Sequence, residues 1–300
     1  MTWDIAKRVL AAKMIAYLRL ILAATGFALI TIILLPVQLL FVKTGWSLQK
    51  KLPVLFHKVV RHLLGIRIHV HGKMAQNRPL LLAANHSSWA DIVVLSAIAE
   101  VSFIAKSQVA TWPLFGLFAK LQRSVFVERE KRGKTHDQAS EIATRLADGD
   151  VMVLFAEGTT SDGNRILPFK TSLFGAAQVA IRETSVETVT IQPVAIAYTR
   201  VHGLPMGRFH RPIIAWPGDV ELGPSLIGML KEGAYDVDVR FGEPVVIDSK
   251  SDRKALARLM EEKVRAMMQR SLQDRDYIEP EIVTAPNLTD AAIFKEVKKL

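Results

Sequence analysis

A histidine and an aspartate stand five residues apart in "NHSSWAD" (85–91), directly after the apolar run "PLLLAA" (79–84). A neutral imidazole, with a reference pKa of about 6.5, accepts a proton from a hydroxyl at physiological pH. It does so best when a carboxylate orients its second ring nitrogen. The spacing lets His86 sit on a turn and Asp91 in the first turn of a following helix, which Ser87 or Ser88 would cap. The plainer reading is an aspartate that stabilises a helix N-terminus beside a histidine that satisfies a turn. Spacing alone does not choose between them. A second polar stretch, "AEGTTSDGNR" (156–165), follows another apolar run and brings two carboxylates, two glycines and three hydroxyls. Glycines allow close backbone approach, and successive N–H groups form anion- or oxyanion-binding concavities. Its plainer reading is a Gly-rich strand–helix loop. The chain has no Walker P-loop and no G-x-S-x-G nucleophile elbow.

The elements that must hold these stretches are short apolar runs alternating with longer amphipathic ones. Strands are expected at 66–72, 79–85, 101–105, 124–128, 151–157, 188–198 and 235–247. Helices are expected near 88–99, 113–122, 134–148, 171–182, 223–232 and 252–272. Such alternation predicts an α/β fold, a mixed, largely parallel sheet flanked by helices. Ligands gather beyond the strand ends in sheets of this kind, and both polar stretches lie there. The body is expected over 66–275, with a C-terminal extension over 276–300.

The first 65 residues read differently. Residues 1–71 carry ten Lys/Arg against Asp4 alone, while the remaining 229 carry 29 basic and 28 acidic side chains. From Leu20 to Val42 no residue is charged, and a membrane span needs roughly 20 apolar residues. Pro36 and Gln38 interrupt that run, leaving two placements open: a span, or a broken helix in one leaflet. Residues 47–66 follow as a basic amphipathic helix, a pattern of membrane surfaces. An N-terminal membrane-associated helical segment, 1–65, is therefore expected. Nucleic acid is not, because the basic residues alternate with aliphatics rather than stacking aromatics. The absence of cysteine excludes disulfides and a thiolate nucleophile. His57, His62, His69 and His71 lack metal-site spacing, so no metal is expected, and His69 and His71 read as a surface pair.

Taken together, the blocks resemble those of the glycerolipid acyltransferases. "NHSSWAD" is similar to the N-H-x-x-x-x-D motif, "VFVER" (125–129) to the second block, "FAEGTTS" (155–161) to F-P-E-G-T-R-S and "IQPVAI" (191–196) to the fourth. "FIAKSQVATWPLFG" (103–116) resembles the connecting segment. The resemblance implies a catalytic pair, His86 and Asp91, with turn amides receiving the oxyanion. It puts substrate contacts at Lys106, Arg129, Glu157, Gly158, Thr159, Thr160 and Ser161. It also implies an acyl thioester on acyl carrier protein or coenzyme A as cosubstrate, a lyso-lipid acceptor and no cofactor. The protein would sit on the inner (cytoplasmic) membrane with its body facing the cytoplasm. Two positions depart from the pattern: Ala156 replaces proline, and Thr160 replaces the arginine expected to grip a phosphate monoester. Compensation by Arg165 or Arg129 is one reading. The other is an acceptor without phosphate, as in the bacterial lyso-ornithine lipid O-acyltransferases, which this chain also resembles in "YTRVHGLPMGRFHRP" and "AWPGDVEL". Their acceptor is a zwitterionic 3-hydroxyacyl-ornithine, whose ammonium would face Asp162, Asp219 or Glu221.

Overall fold

Uncharged from Leu20 to Val42, the N-terminal segment contains no polar stop. In a computed structural model describing residues 2–127, 132–218 and 221–273, it forms one helix, α1 (Thr2–Thr44). Pro36 lies inside that helix without ending it. The amphipathic stretch becomes α2 (Leu48–Leu64), closed by Gly65 in the left-handed region (φ 69°). The chain continues through β1 (Ile66–His71), β2 (Leu80–Ala84), α3 (Ala90–Ile98), β3 (Ser102–Lys106), α4 (Phe115–Leu121) and β4 (Val125–Val127). Then come α5 (Arg132–Ala147), β5 (Val151–Phe155), α6 (Gly175–Glu183), β6 (Val189–Val201) and β7 (Leu204–Pro205). The last elements are α7 (Leu222–Glu232), β8 (Tyr235–Phe241), β9 (Val245–Ile247) and α8 (Arg253–Gln273). The expected extension 276–300 lies outside the described residues.

One sheet runs in the order β1-β8-β6-β2-β5-β3-β4, with β7 and β9 also pairing with β6. Pairing is parallel except where β6 meets β8, β7 and β9, so the sheet is mixed and largely parallel. The strand expected over 235–247 is two strands, because Pro244 has no N–H to give a ladder. The helix expected from 171 starts as a 3-10 turn, Thr171–Phe174.

β2 is buried at all five positions, the pattern of a central parallel strand covered on both faces. Each of Leu80, Leu81 and Leu82 contributes about 2 kcal/mol by leaving water. One face packs with Leu146 of α5, Ala177 of α6 and Met260 and Val264 of α8. The other packs with Val94 and Leu95 of α3, Met229 of α7, and Val60 and Leu64 of α2. Thus α2 shares a core with the sheet while Lys51, Lys58 and Arg61 stay half-buried along its flank.

α1 lies along this second face. Arg19 donates to the carbonyls of Leu230 (3.1 Å) and Leu64 (3.3 Å), supplying positive charge at the ends of α7 and α2. Gly26 lets Leu63 approach, since a Cβ there would meet its Cδ2 at 2.8 Å. Phe27 stands edge-on to Phe56 (5.9 Å) and Phe118 (6.0 Å). Gln38 is buried and donates to the carbonyls of Gln49 (2.9 Å) and Leu121 (2.8 Å). Its polarity therefore serves packing against the body. The opposite side of α1, with Leu18, Leu22, Leu29, Ile32, Ile33 and Leu40, is bare.

Candidate active site

Parallel pairing of β2 and β5, with Ala84 opposite Phe155, makes both strands end at the same level. The two polar stretches therefore leave the sheet side by side. Beyond Ala84 the Asn85 side chain extends the ladder to β6: Nδ2 donates to the Ile196 carbonyl (2.9 Å) and Oδ1 accepts the Ile196 N–H (2.8 Å).

His86 follows on the turn. Its Nδ1 lies 2.9 Å from Asp91 Oδ2, and its ring stacks on Phe155 at 3.9 Å between centroids. Asp91 is 0 % exposed, and its carboxylate is fully used: Oδ2 also accepts the N–H of Ser87 (2.8 Å) and Ser88 (3.0 Å). The Tyr198 hydroxyl donates to Oδ1 at 2.7 Å. Burial, with the Asp91 charge beside it, raises the Tyr198 phenol well above its ordinary value, so it stays a neutral donor. An acceptor-only carboxylate holds Nδ1 as the protonated nitrogen, leaving Nε2 its lone pair. The His86 side chain keeps 16 % exposure, enough for that edge to meet a substrate.

At this turn Trp89 occupies the N-cap position of α3, and Ser88 serves the helix start as expected, its Oγ accepting the Ala90 N–H at 3.2 Å, while Asp91 folds back onto the amides of Ser87 and Ser88. The amides of His86, Ser87 and Ser88 all donate to buried carboxylates, so these three have no hydrogen left for an oxyanion.

The second carboxylate, Glu157, is 1 % exposed. Oε1 accepts the His86 N–H (2.7 Å) and Oε2 the Leu167 N–H (2.8 Å). Burial pushes its carboxyl up to about 8, against the pull of both amides. Glu157 thus clasps the backbone of the His86 turn to its own loop. Gly158 (φ 74°) makes this turn possible, since a left-handed residue in the loop after β5 is cheap only for glycine. The Ser161 N–H returns to the His86 carbonyl at 2.8 Å, and Thr160 is buried at its side. Thr159 is half-buried, its Oγ1 beside Gly218. Lys106 is exposed at the C-terminal end of β3, one strand beyond β5. Arg129 and Asp219 lie outside the described residues, and Glu221 is exposed at the start of α7.

A third segment, 206–218, closes over the other two. The Trp216 N–H donates to the Ser87 carbonyl (2.7 Å), and Arg211 Nη1 donates to Asn164 Oδ1 (2.9 Å). Tyr198 and Arg211 are contributions that spacing did not reveal: Tyr198 reaches Asp91 across 107 residues and Arg211 reaches Asn164 across 47. Away from this edge, His69 and His71 face Asp236 (2.9 Å) and Asp238 (3.3 Å) of β8, so the expected surface pair is a set of half-buried histidine–carboxylate contacts.

An acyltransferase family model matches residues 67–197. The chain is 60 % identical over 265 residues to a lyso-ornithine lipid O-acyltransferase of Brucella abortus, covering 88 % of this chain and 98 % of that one. It is 51 % identical to one of Rhizobium meliloti, covering 87 % and 90 %. The crystal structure of the 1-acyl-sn-glycerophosphate acyltransferase of Thermotoga maritima is 22 % identical and superposes with a TM-score of 0.57, covering 85 % and 96 %. With most of its length shared with such relatives, and a histidine–aspartate pair at the matched strand end, the chain belongs to the acyltransferase family, and the protein is an acyltransferase.

Proposed function

We propose that the protein transfers a fatty acyl chain from a thioester to the hydroxyl of lyso-ornithine lipid, with His86 as general base. The observation that carries this reading is the His86–Asp91 hydrogen bond, which leaves Nε2 at the surface of a buried polar turn. The acceptor O–H gives its proton to Nε2 as its oxygen attacks the thioester carbonyl. The C–S bond breaks, and the thiolate leaves with the proton from His86. Each atom is accounted for without another group. Direct transfer is favoured over an acyl-serine because Ser87 and Ser88 are 1 % and 0 % exposed. The donor is an acyl thioester on acyl carrier protein or coenzyme A, made in the cytoplasm, so the site faces that side of the inner membrane.

The ornithine head group is supported by Thr160, which supplies no charge for a phosphate, and by what the two most similar relatives named above are called. The packing of α1 supports a place in one leaflet. From Tyr17 to Gln38 it lies against α2, α4 and α7, and a bilayer crossing would carry those elements, with Lys50 and Lys51, into hydrocarbon. Its bare aliphatic side then faces lipid, with the lyso-lipid at the level of the site.

The test offers a labelled acyl-carrier-protein thioester to membranes containing the protein, with lyso-ornithine lipid and lysophosphatidate as competing acceptors. Ornithine lipid is the expected product. Phosphatidate as the main product would overturn the acceptor assignment while leaving the family intact.

A further inference from the structure

The guanidinium of Arg211 is built into the site, yet the base chemistry does not use it. It begins the 3-10 turn Arg211–Ile213 in the segment that closes over the His86 turn. A Cβ placed on Gly163 would meet the Cβ atoms of Arg211 (3.7 Å) and Ser87 (3.9 Å), so Arg211 and the neighbour of His86 flank one glycine. Asn164 orients the arginine: its Oδ1 accepts from Nη1 at 2.9 Å, while its Nδ2 points to Asp162 Oδ2 at 3.5 Å. Arg211 Nε is buried and has no partner among the described residues. Burial lowers the Arg211 pKa, Arg208 adds to this, and Asp162 opposes it. An arginine carries five N–H groups, and a buried one left unpaired costs free energy that an oxyanion recovers through a two-point contact.

We propose that Arg211, held by Asn164, binds the carboxylate of the ornithine head group and thereby sets acceptor specificity. This rests on the acceptor assignment above. Acylation of ornithine on its α-nitrogen leaves one carboxylate and one ammonium. A single planar guanidinium matches one carboxylate. Asp162, on the other side of Asn164, repels a doubly charged phosphate and attracts an ammonium. The site thus offers one cation and one anion to a zwitterion.

The experiment compares three acceptors in membranes containing the full chain: lyso-ornithine lipid, its primary carboxamide, and lysophosphatidate. The wild type prefers the acid to the amide. Arg211→Gln raises KM for the acid about 10- to 100-fold, as loss of a charged hydrogen bond predicts, leaves kcat within about threefold, and abolishes the acid-over-amide preference. Arg211→Lys, which keeps charge without the fork, falls between them. Asn164→Ala gives a smaller KM increase in the same direction. Equal losses with acid and amide in Arg211→Gln would make the residue merely structural and overturn the proposal. If the wild type acylates lysophosphatidate alone, the acceptor assignment itself fails, whatever the variants do.

Discussion

Asp91 and Glu157 are two buried carboxylates at adjacent strand ends, and each accepts two backbone N–H bonds in the same small region. Asp91 spends two bonds on the turn that carries it, one on Tyr198 and one on the imidazole. Glu157 spends both on backbone amides, one of them that of His86 itself. The first therefore orients a proton acceptor, and the second fixes the place where that acceptor stands. Glutamate in a Gly-rich loop reads from sequence as a ligand-binding residue, and the fold adds a role as a clasp between loops.

Three substitutions sharpen this contrast. Asp91→Asn is the most damaging, since an amide can present a donor to Nδ1 and favour the wrong tautomer. Acyl transfer is expected to fall about 10²- to 10⁴-fold, measured as kcat under saturating acceptor. A loss under tenfold would return Asp91 to the role of helix-end charge.

Glu157→Gln replaces one acceptor by a donor facing an amide, which costs about 1–3 kcal/mol of stability with a smaller loss of turnover. It also carries a pH signature. The Glu157 carboxyl titrates at about 8 in the fold against its ordinary 4.5, so between those values the folded state holds a proton the unfolded state has released. Its contribution to stability accordingly falls as pH rises from 4.5 to 8. Denaturant midpoints of the wild type across that window should carry this downward slope, and Glu157→Gln should lack it. An identical slope in both would mean that Glu157 titrates normally.

Tyr198→Phe is the mildest. It removes one of four hydrogen bonds on Asp91, and turnover is expected to drop about three- to tenfold. The acid limb of the pH–rate profile should move, because Asp91 then bears more charge toward His86. A lower melting temperature with an unmoved pH profile would reduce Tyr198 to packing.

Much of this was legible before any coordinates. Fully apolar runs such as 80–84 and 151–155 announce central strands, and a polar stretch at the end of each announces a site. The His86–Asp91 pair is local, so spacing and a family motif were enough to find it. Tyr198 escaped because strand order, not sequence distance, brings it to the turn: β6 lies beside β2, and 107 residues separate Tyr198 from Asp91. Arg211 escaped because it comes from a segment outside the strands, 47 residues beyond its partner Asn164. That the amides of His86, Ser87 and Ser88 are already taken was not legible, because amides visible in sequence carry no sign of which acceptor takes them. The course of α1 was legible in composition, whereas its resting place was fixed by Arg19 at the edge of the apolar run and Gln38 within it, polar residues whose partners are carbonyls of the body.

The central claim is that His86 takes the proton of the acceptor hydroxyl, and His86→Ala in native membranes tests it most directly. With membrane retention and melting temperature matched to the wild type, single-turnover acyl transfer to lyso-ornithine lipid should fall by about 10²- to 10⁴-fold. Transfer within about tenfold of the wild type would contradict the account and leave the proton to another group.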